Sequence, residues 1–323
     1  MIRAVVRGVG AYLPSKIVTN NDFPESLGTN DEWIIERTGI KQRHIAADGE
    51  NTSDLAVKAG DEALKKAGVS PDEIDLVILA TTTPDDTMPS TATKIQHRLG
   101  INQGAAFDMN AACSGFVYAM STANSFIVSG QAKRILLIGA ETYSRILNWE
   151  DRSTCILFGD GAAALVLEGQ ESSGANSDRG ILFSCIHSDG QYTELLNTTG
   201  GVSATKTAGV LTMAGREIFR HAVSKMPESI EEGINKLSLS SDDIDWLVPH
   251  QANMRILSGV ASKLKINKDK IVATAPLHAN TSAASIPLAL YQAEGDGRIK
   301  SGNLVACPAL GAGLTWGCVI LRW

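Results

Sequence analysis

Apolar positions along the chain follow two rhythms. Short runs such as Val77-Ile78-Leu79-Ala80, Arg134-Ile135-Leu136-Leu137-Ile138-Gly139, Trp246-Leu247-Val248-Pro249, Ile271-Val272-Ala273-Thr274 and Asn303-Leu304-Val305-Ala306-Cys307 have the length and density of buried strands. Between them apolar residues return every three or four positions, over 53–67, 90–99, 114–129, 213–237 and 252–265. That is the period of helices with one buried face. Strands alternating with helices from end to end predict an α/β fold.

The pattern also repeats. Glu62 to Val77 can be laid on Glu232 to Leu247 with seven positions identical or acid-for-acid, Asp75 matching Asp245 at a constant spacing of 170 residues. Each copy reads as a helix, a polar turn, an acidic residue and then a strand. Gly161-Ala162-Ala163-Ala164-Leu165-Val166-Leu167 echoes Thr315-Trp316-Gly317-Cys318-Val319-Ile320-Leu321 at the end of each half. Two similar halves are expected, 1–172 and 173–323, joined through the polar stretch from Gly169 to Gly180.

Composition narrows the function. A formal net charge of −6 gives no reason to expect a nucleic-acid partner. Five cysteines, at 113, 155, 185, 307 and 318, are odd in number and lack Cys-x-x-Cys spacing, so neither a disulfide framework nor a metal site is indicated. With no sustained apolar stretch for a membrane span, a cytoplasmic location is the default.

Four places could carry chemistry. Cys113, in Asn110-Ala111-Ala112-Cys113-Ser114-Gly115, stands where a strand pattern gives way to a helix. A sulfur at a helix start meets unpaired N–H groups and the positive end of the helix dipole, which favour thiolate, although a small buried cysteine could equally fill that corner. His250 falls at the C-terminal end of a strand, where α/β sheets collect their ligands. Asn280 precedes the small-residue run Thr281 to Ser285 and could act as a helix cap, a catalytic group or both. Gly311-Ala312-Gly313-Leu314-Thr315-Trp316-Gly317 is a loop whose bare backbone could approach a substrate oxygen.

Together with Asn30-Asp31-Glu32-Trp33-Ile34, Arg37-Thr38-Gly39-Ile40, Phe158-Gly159-Asp160-Gly161-Ala162 and His250-Gln251-Ala252-Asn253, these segments resemble the β-ketoacyl-acyl carrier protein synthase III family of the thiolase superfamily. The resemblance runs the length of the chain. It implies a duplicated five-layer α-β-α-β-α fold with mixed sheets, a homodimer, and an acyltransferase that needs no cofactor or metal. The implied reaction is decarboxylative condensation of an acyl-coenzyme A primer, acetyl-coenzyme A first among them, with malonyl-acyl carrier protein, the step that initiates type II fatty-acid synthesis. No membrane or nucleic acid takes part.

The family's roles carry over residue by residue. Cys113 matches the acyl-carrying nucleophile, and His250 and Asn280 match the pair that hold the malonyl thioester carbonyl as carbon dioxide leaves. Backbone N–H groups of Cys113 and Ala312 match an oxyanion site. Trp33, Arg37 and Arg152 match positions that grip coenzyme A by stacking and charge. Gln251, Ala252, Asn253, Met254 and Arg255 match a carrier-protein docking segment, with Arg216 and Arg220 extending a basic patch. Met88 matches a residue that lines the acyl pocket across the dimer interface.

Two alanines depart from the pattern. Ala312 and Ala279 stand where the family usually has glycine, and at a positive φ either would be strained. Two other functions remain open at this point. A relative of the same fold could use the acyl-cysteine for an alkylquinolone, methylketone or ester in a secondary pathway, and a cysteine hydrolase could use His250 as base. A non-catalytic scaffold would need none of the three residues.

Overall fold

The computed structural model describes residues 1–323. Five strands form one mixed sheet in the order Ile2–Tyr12, Gly161–Glu171, Arg134–Glu141, Leu76–Ala80, Ala105–Met109, the last three mutually parallel. Four form a second sheet in the order Trp246–Leu247, Leu304–Gly311, Thr315–Arg322, Gly180–Ser188. Residues 172–179 link the two sheets.

Three helical layers enclose them. The helices Gly115–Val128 and Ser285–Gly295 lie between the sheets, where Phe116, Met120 and Ile286 pack against Ile78 and Leu165 of one sheet and Val305 and Val319 of the other. Thr52–Ala67 and Thr91–Arg98 cover the outer face of the first sheet, and Gly215–Lys236 and Met254–Leu264 that of the second. The arrangement is the thiolase-like α-β-α-β-α sandwich. Its central helices are apolar over most of their first turns, where both sides are buried, and polar only toward their C-terminal ends.

The repeated segment owes its residues to one local task. Ser70 and Ser240 each open a capping box, closed by Glu73 and Asp243. Asp75 then takes the N–H groups of Lys133 and Arg134 at 2.7 and 2.8 Å, and Asp245 takes that of Leu304 at 2.7 Å. In each copy a carboxylate satisfies the first orphan donor of the adjacent parallel strand. Trp246-Leu247-Val248-Pro249 counts only two residues of regular strand, although Val248 and His250 still donate to Ala306 and Pro308 of the neighbouring strand, and Ile271–Thr274 is reduced to a single bridge between Ile271 and Leu247.

Where the halves meet, backbones touch. A Cβ on Gly139 would lie 2.5 Å from the carbonyl oxygen of Ala283, and one on Gly115 would sit against the Ala283 methyl. At Gly139 only glycine allows the approach, whereas at Gly115 the contact would be an ordinary one.

Candidate active site

Cys113 follows the strand Ala105–Met109 through a sharp elbow. Ala112 takes φ +47°, in the left-handed region, and a short 3-10 turn over Ala112–Ser114 runs into the helix Gly115–Val128. Opposite it, a Cβ on Gly311 would come within 2.8 Å of the Cys113 nitrogen, so that strand end presses directly on the elbow. Thr315 fastens the contact: its hydroxyl lies 2.6 Å from Ser114 Oγ and 3.0 Å from the carbonyl of Ala111.

His250 arrives from the end of the strand Trp246–Leu247, its N–H held by the Pro308 carbonyl at 2.9 Å. Its Nδ1 is 2.7 Å from Ser285 Oγ, while Nε2 has no partner within the chain. Asn280 is held at both backbone ends, its N–H on Leu157 O and its carbonyl taking the Gly159 N–H. Its Oδ1 accepts the Ser282 N–H at 2.9 Å, which turns the amide so that Nδ2–H₂ is the free edge.

Cys113, His250 and Asn280 line one narrow, mostly apolar cavity of about 60 Å³, walled by Leu157, Phe158, Met213, Ile218, Ala222 and Met226 among others. Gly215 and Asn253 belong both to this cavity and to an outer one of about 410 Å³, which also carries Arg37, Arg216, Arg255 and Phe219. The inner space thus opens into a groove with three guanidinium groups.

Burial sets the protonation states. It pushes the Cys113 thiol up to about 12, with the adjacent Ser282 hydroxyl pulling it back and the buried Glu141 carboxyl adding to the rise. The thiolate expected from the helix start is therefore not the resting state: desolvation outweighs the helix dipole. The same burial holds His250 down to about 3, so its ring is neutral throughout the physiological range. Glu141 itself is buried and raised, gripped by the Thr82 N–H and the hydroxyls of Thr81, Thr82 and Thr83.

The outer residues divide. Asn30 caps the helix Asp31–Thr38 through the Trp33 N–H at 2.8 Å, placing Trp33 and Arg37 one turn apart. The Arg37 and Arg152 guanidinium carbons lie 4.5 and 5.1 Å from the Trp33 ring centre. Arg255 and Arg216 face the outer groove, but Arg220 turns to a separate depression with Tyr192, Glu217 and His221. Asn253 caps the helix Met254–Leu264 through the Ile256 N–H, Met254 packs beside Gly39, and Ala252 lines the inner cavity. Gln251 does not fit a docking surface: it is fully buried, its amide bound to Pro249 O, Val272 O and the N–H groups of Thr274 and Ala275. It braces the loop that carries His250.

Of the two alanines, Ala279 takes φ +59°, ψ −159°, a region nearly reserved for glycine, whereas Ala312 is not among the residues with positive φ. The Ala312 N–H has no acceptor in the chain. Met88 is 84% exposed. Ser285 was not singled out in the sequence, although it closes the run that begins at Asn280. The inner-wall residues Met213, Ile218, Ala222 and Met226 were equally invisible there, since helical periodicity marks a buried face without saying that the face borders a cavity.

A thiolase-like sandwich with a cysteine, a neutral histidine and an asparagine around one buried cavity defines an acyl-transferring condensing enzyme. Residues 107–190 match the family described as 3-oxoacyl-[acyl-carrier-protein (ACP)] synthase III, and residues 234–323 match its C-terminal part. The chain belongs to that family. It is 56% identical, over the full length of both chains, to a β-ketoacyl-[acyl-carrier-protein] synthase III from Rhizobium rhizogenes. Among solved structures, 3-oxoacyl-[acyl-carrier-protein] synthase III from Aquifex aeolicus superposes with a TM-score of 0.93 at 45% identity, covering 99% of this chain and 100% of that one. The priming β-ketosynthase of the R1128 polyketide pathway superposes at 0.92 with 32% identity, covering 99% and 96%. No helix is long and apolar enough to cross a membrane.

Proposed function

We propose that this enzyme condenses an acyl-coenzyme A primer with malonyl-acyl carrier protein, with Cys113 as nucleophile and His250 and Asn280 as the donors for the second substrate. The observation that carries the division of labour is the pair of unpartnered nitrogens, His250 Nε2 and Asn280 Nδ2, on the cavity that also holds Cys113. Cys113 sulfur, once deprotonated, attacks the primer carbonyl and expels coenzyme A as its thiolate, leaving a thioester. The malonyl thioester then enters. Its carbonyl oxygen takes both donors, the carboxylate leaves as carbon dioxide, and the bonding pair becomes an enolate whose negative oxygen is held by two neutral N–H groups. The enolate carbon attacks the acyl-Cys113 carbonyl, whose oxyanion finds the N–H of Cys113 and the unpaired N–H of Ala312. Collapse expels the Cys113 thiolate and frees the β-ketoacyl-carrier protein.

These steps need no cofactor beyond the two thioester substrates. Trp33, Arg37 and Arg152 offer a stacking face and two cations for coenzyme A, with Arg152 swinging from the ring to admit adenine. Arg216 and Arg255 suit an acidic carrier protein, whereas Arg220 stands apart from that patch. The inner cavity favours a short primer such as acetyl. The exposed Met88 fits a second copy of the chain as partner in a homodimer, residues 1–172 and 173–323 act as paired halves, and the chain works in the cytoplasm. A histidine held near 3 is a poor base, which weighs against a hydrolase. The likeness to a polyketide priming synthase keeps a secondary-pathway substrate as the second reading.

The test is to incubate the protein with acyl-coenzyme A, weigh the intact chain, then add malonyl-carrier protein and measure carbon dioxide release. A mass gain of one acyl group on Cys113 followed by stoichiometric release supports the reading; acylation with no condensation by any primer sinks it.

A further inference from the structure

The direction of hydrogen bonds around His250 fixes something beyond its position. Ser285 Oγ has two partners: the Gln251 N–H at 3.2 Å and His250 Nδ1 at 2.7 Å. A backbone N–H can only donate, so it uses one lone pair of the hydroxyl and leaves its proton unassigned. No carbonyl or carboxylate takes that proton, in contrast to Ser114, whose hydroxyl is bound to the Ala111 carbonyl at 2.8 Å. The one acceptor available to Ser285 is Nδ1 of His250. A neutral ring that accepts at Nδ1 must carry its proton on Nε2, the nitrogen facing the cavity.

We propose that Ser285 is a positioning residue that locks His250 in the Nε2–H tautomer, so that the ring presents a donor to the incoming thioester carbonyl. The inference rests on the assignment of His250 as a donor in condensation. Ser285 is 1% exposed in the first turn of the helix Ser285–Gly295, where Ile286 and Pro287 are buried beside it, so the hydroxyl has little freedom to turn away. Gln251 completes the device. Its four amide bonds hold the loop, and its backbone N–H orients the serine lone pair that leaves the hydroxyl proton aimed at the ring. The opposite tautomer would put a lone pair toward the substrate oxygen and leave the Ser285 hydroxyl proton without an acceptor.

The experiment compares Ser285→Ala, Ser285→Thr and the unaltered enzyme by three readouts. Nitrogen NMR of histidine-labelled protein, with the His250 signals assigned by their loss in His250→Ala, should place the proton on Nε2 in the unaltered chain and show a tautomer mixture in Ser285→Ala. Condensation turnover should fall by about tenfold or more in Ser285→Ala, short of the roughly 10²-fold loss expected for a deleted oxyanion donor. Acylation of Cys113 and the KM for malonyl-carrier protein should change less than about threefold, and Ser285→Thr should recover most of the turnover because it keeps the hydroxyl. A protonated Nδ1 in the unaltered enzyme overturns the proposal, as does full turnover in Ser285→Ala with its tautomer shifted. If His250→Ala itself condenses normally, it is the donor role of His250 that fails, and the NMR result still decides the tautomer.

Discussion

The elbow at 110–115 and the segment at 280–285 are two versions of one structure, 170 residues apart. Asn110 Oδ1 takes the Ala112 N–H at 3.2 Å, and Asn280 Oδ1 takes the Ser282 N–H at 2.9 Å. Ala112 and Ser282 both have positive φ, at +47° and +49°, and both lead through a 3-10 turn into a buried central helix. What differs is the occupant. The first copy puts a thiol at the position where the second has Ala283, and uses its asparagine only as a brace. The second has no thiol, turns its asparagine edge toward the cavity and sets Ser285 behind the ring of His250, on Nδ1. One backbone device thus carries a thiol in one copy and an unpaired amide edge in the other, and under the proposed function these are the acyl holder and a donor.

Exchanging residues between the copies tests that division. The largest effect is expected from Cys113→Ser, which should reduce acyl-enzyme formation to background in intact-mass measurements. Ala283→Ser should leave acylation standing and cost about 1–3 kcal/mol of stability by placing a hydroxyl at a fully packed, buried position, read by denaturant unfolding. Acylation at 283 would break the comparison.

Next, Asn280→Ala should lower condensation by roughly 10²–10³-fold with acylation intact, since it removes an oxyanion donor. Asn110→Ala, at an exposed position, should lose only about 1 kcal/mol of stability as a missing local cap. Equal kinetic losses from both would erase the distinction between brace and donor.

The pH dependence sharpens it further. With the Cys113 thiol near 12, the thiolate fraction should climb about tenfold per pH unit, so single-turnover acylation should rise from pH 6 to 9 without levelling. The donor half should contribute no inflection near 6.5, because His250 is held near 3 and is already neutral above that. A plateau in acylation near neutrality would mean that the helix start, not burial, governs the thiol.

The smallest effect concerns the residue before Asn280. Ala279→Gly relieves φ +59°, ψ −159° and should raise stability by about 1 kcal/mol, seen as an upward shift of about 1–2 °C in Tm. Ala312→Gly relieves nothing of the kind, and its flexibility should if anything cost stability.

Much of this was readable in the sequence. Strand and helix alternation and the internal repeat follow from periodicity and spacing, which local sequence encodes directly, whereas the grouping of Cys113, His250 and Asn280 is what the family resemblance implies. The rest depends on what packs around a residue. The helix-start signal at Cys113 is real, but it is reversed by burial under the opposing strand end at Gly311, with the Glu141 carboxyl adding its charge, and both lie far off in sequence. Gln251 looks like a surface amide beside Asn253 and Arg255 until four bonds are seen to enclose it. Arg220 is one helical turn from Arg216 yet faces a different depression. Ser285 is one of several hydroxyls in its run, and only the donor inventory around it separates it from the others.

The glycine contacts between the halves have a consequence for how the molecule comes apart. Gly139 brings the first half's strand to backbone distance from Ala283 and Ala284, with no side-chain layer between them to act as a slip plane, and Gly115 leaves only the Ala283 methyl between the two central segments. Neither half can open alone without exposing the faces of both central helices. Native-state hydrogen exchange should therefore find the amides of Arg134–Glu141 and Leu304–Gly311 released together, in a single opening event, and either half expressed separately should remain unfolded. Duplication here has produced one cooperative unit, in which a thiol and its donors cannot drift apart while the protein remains folded.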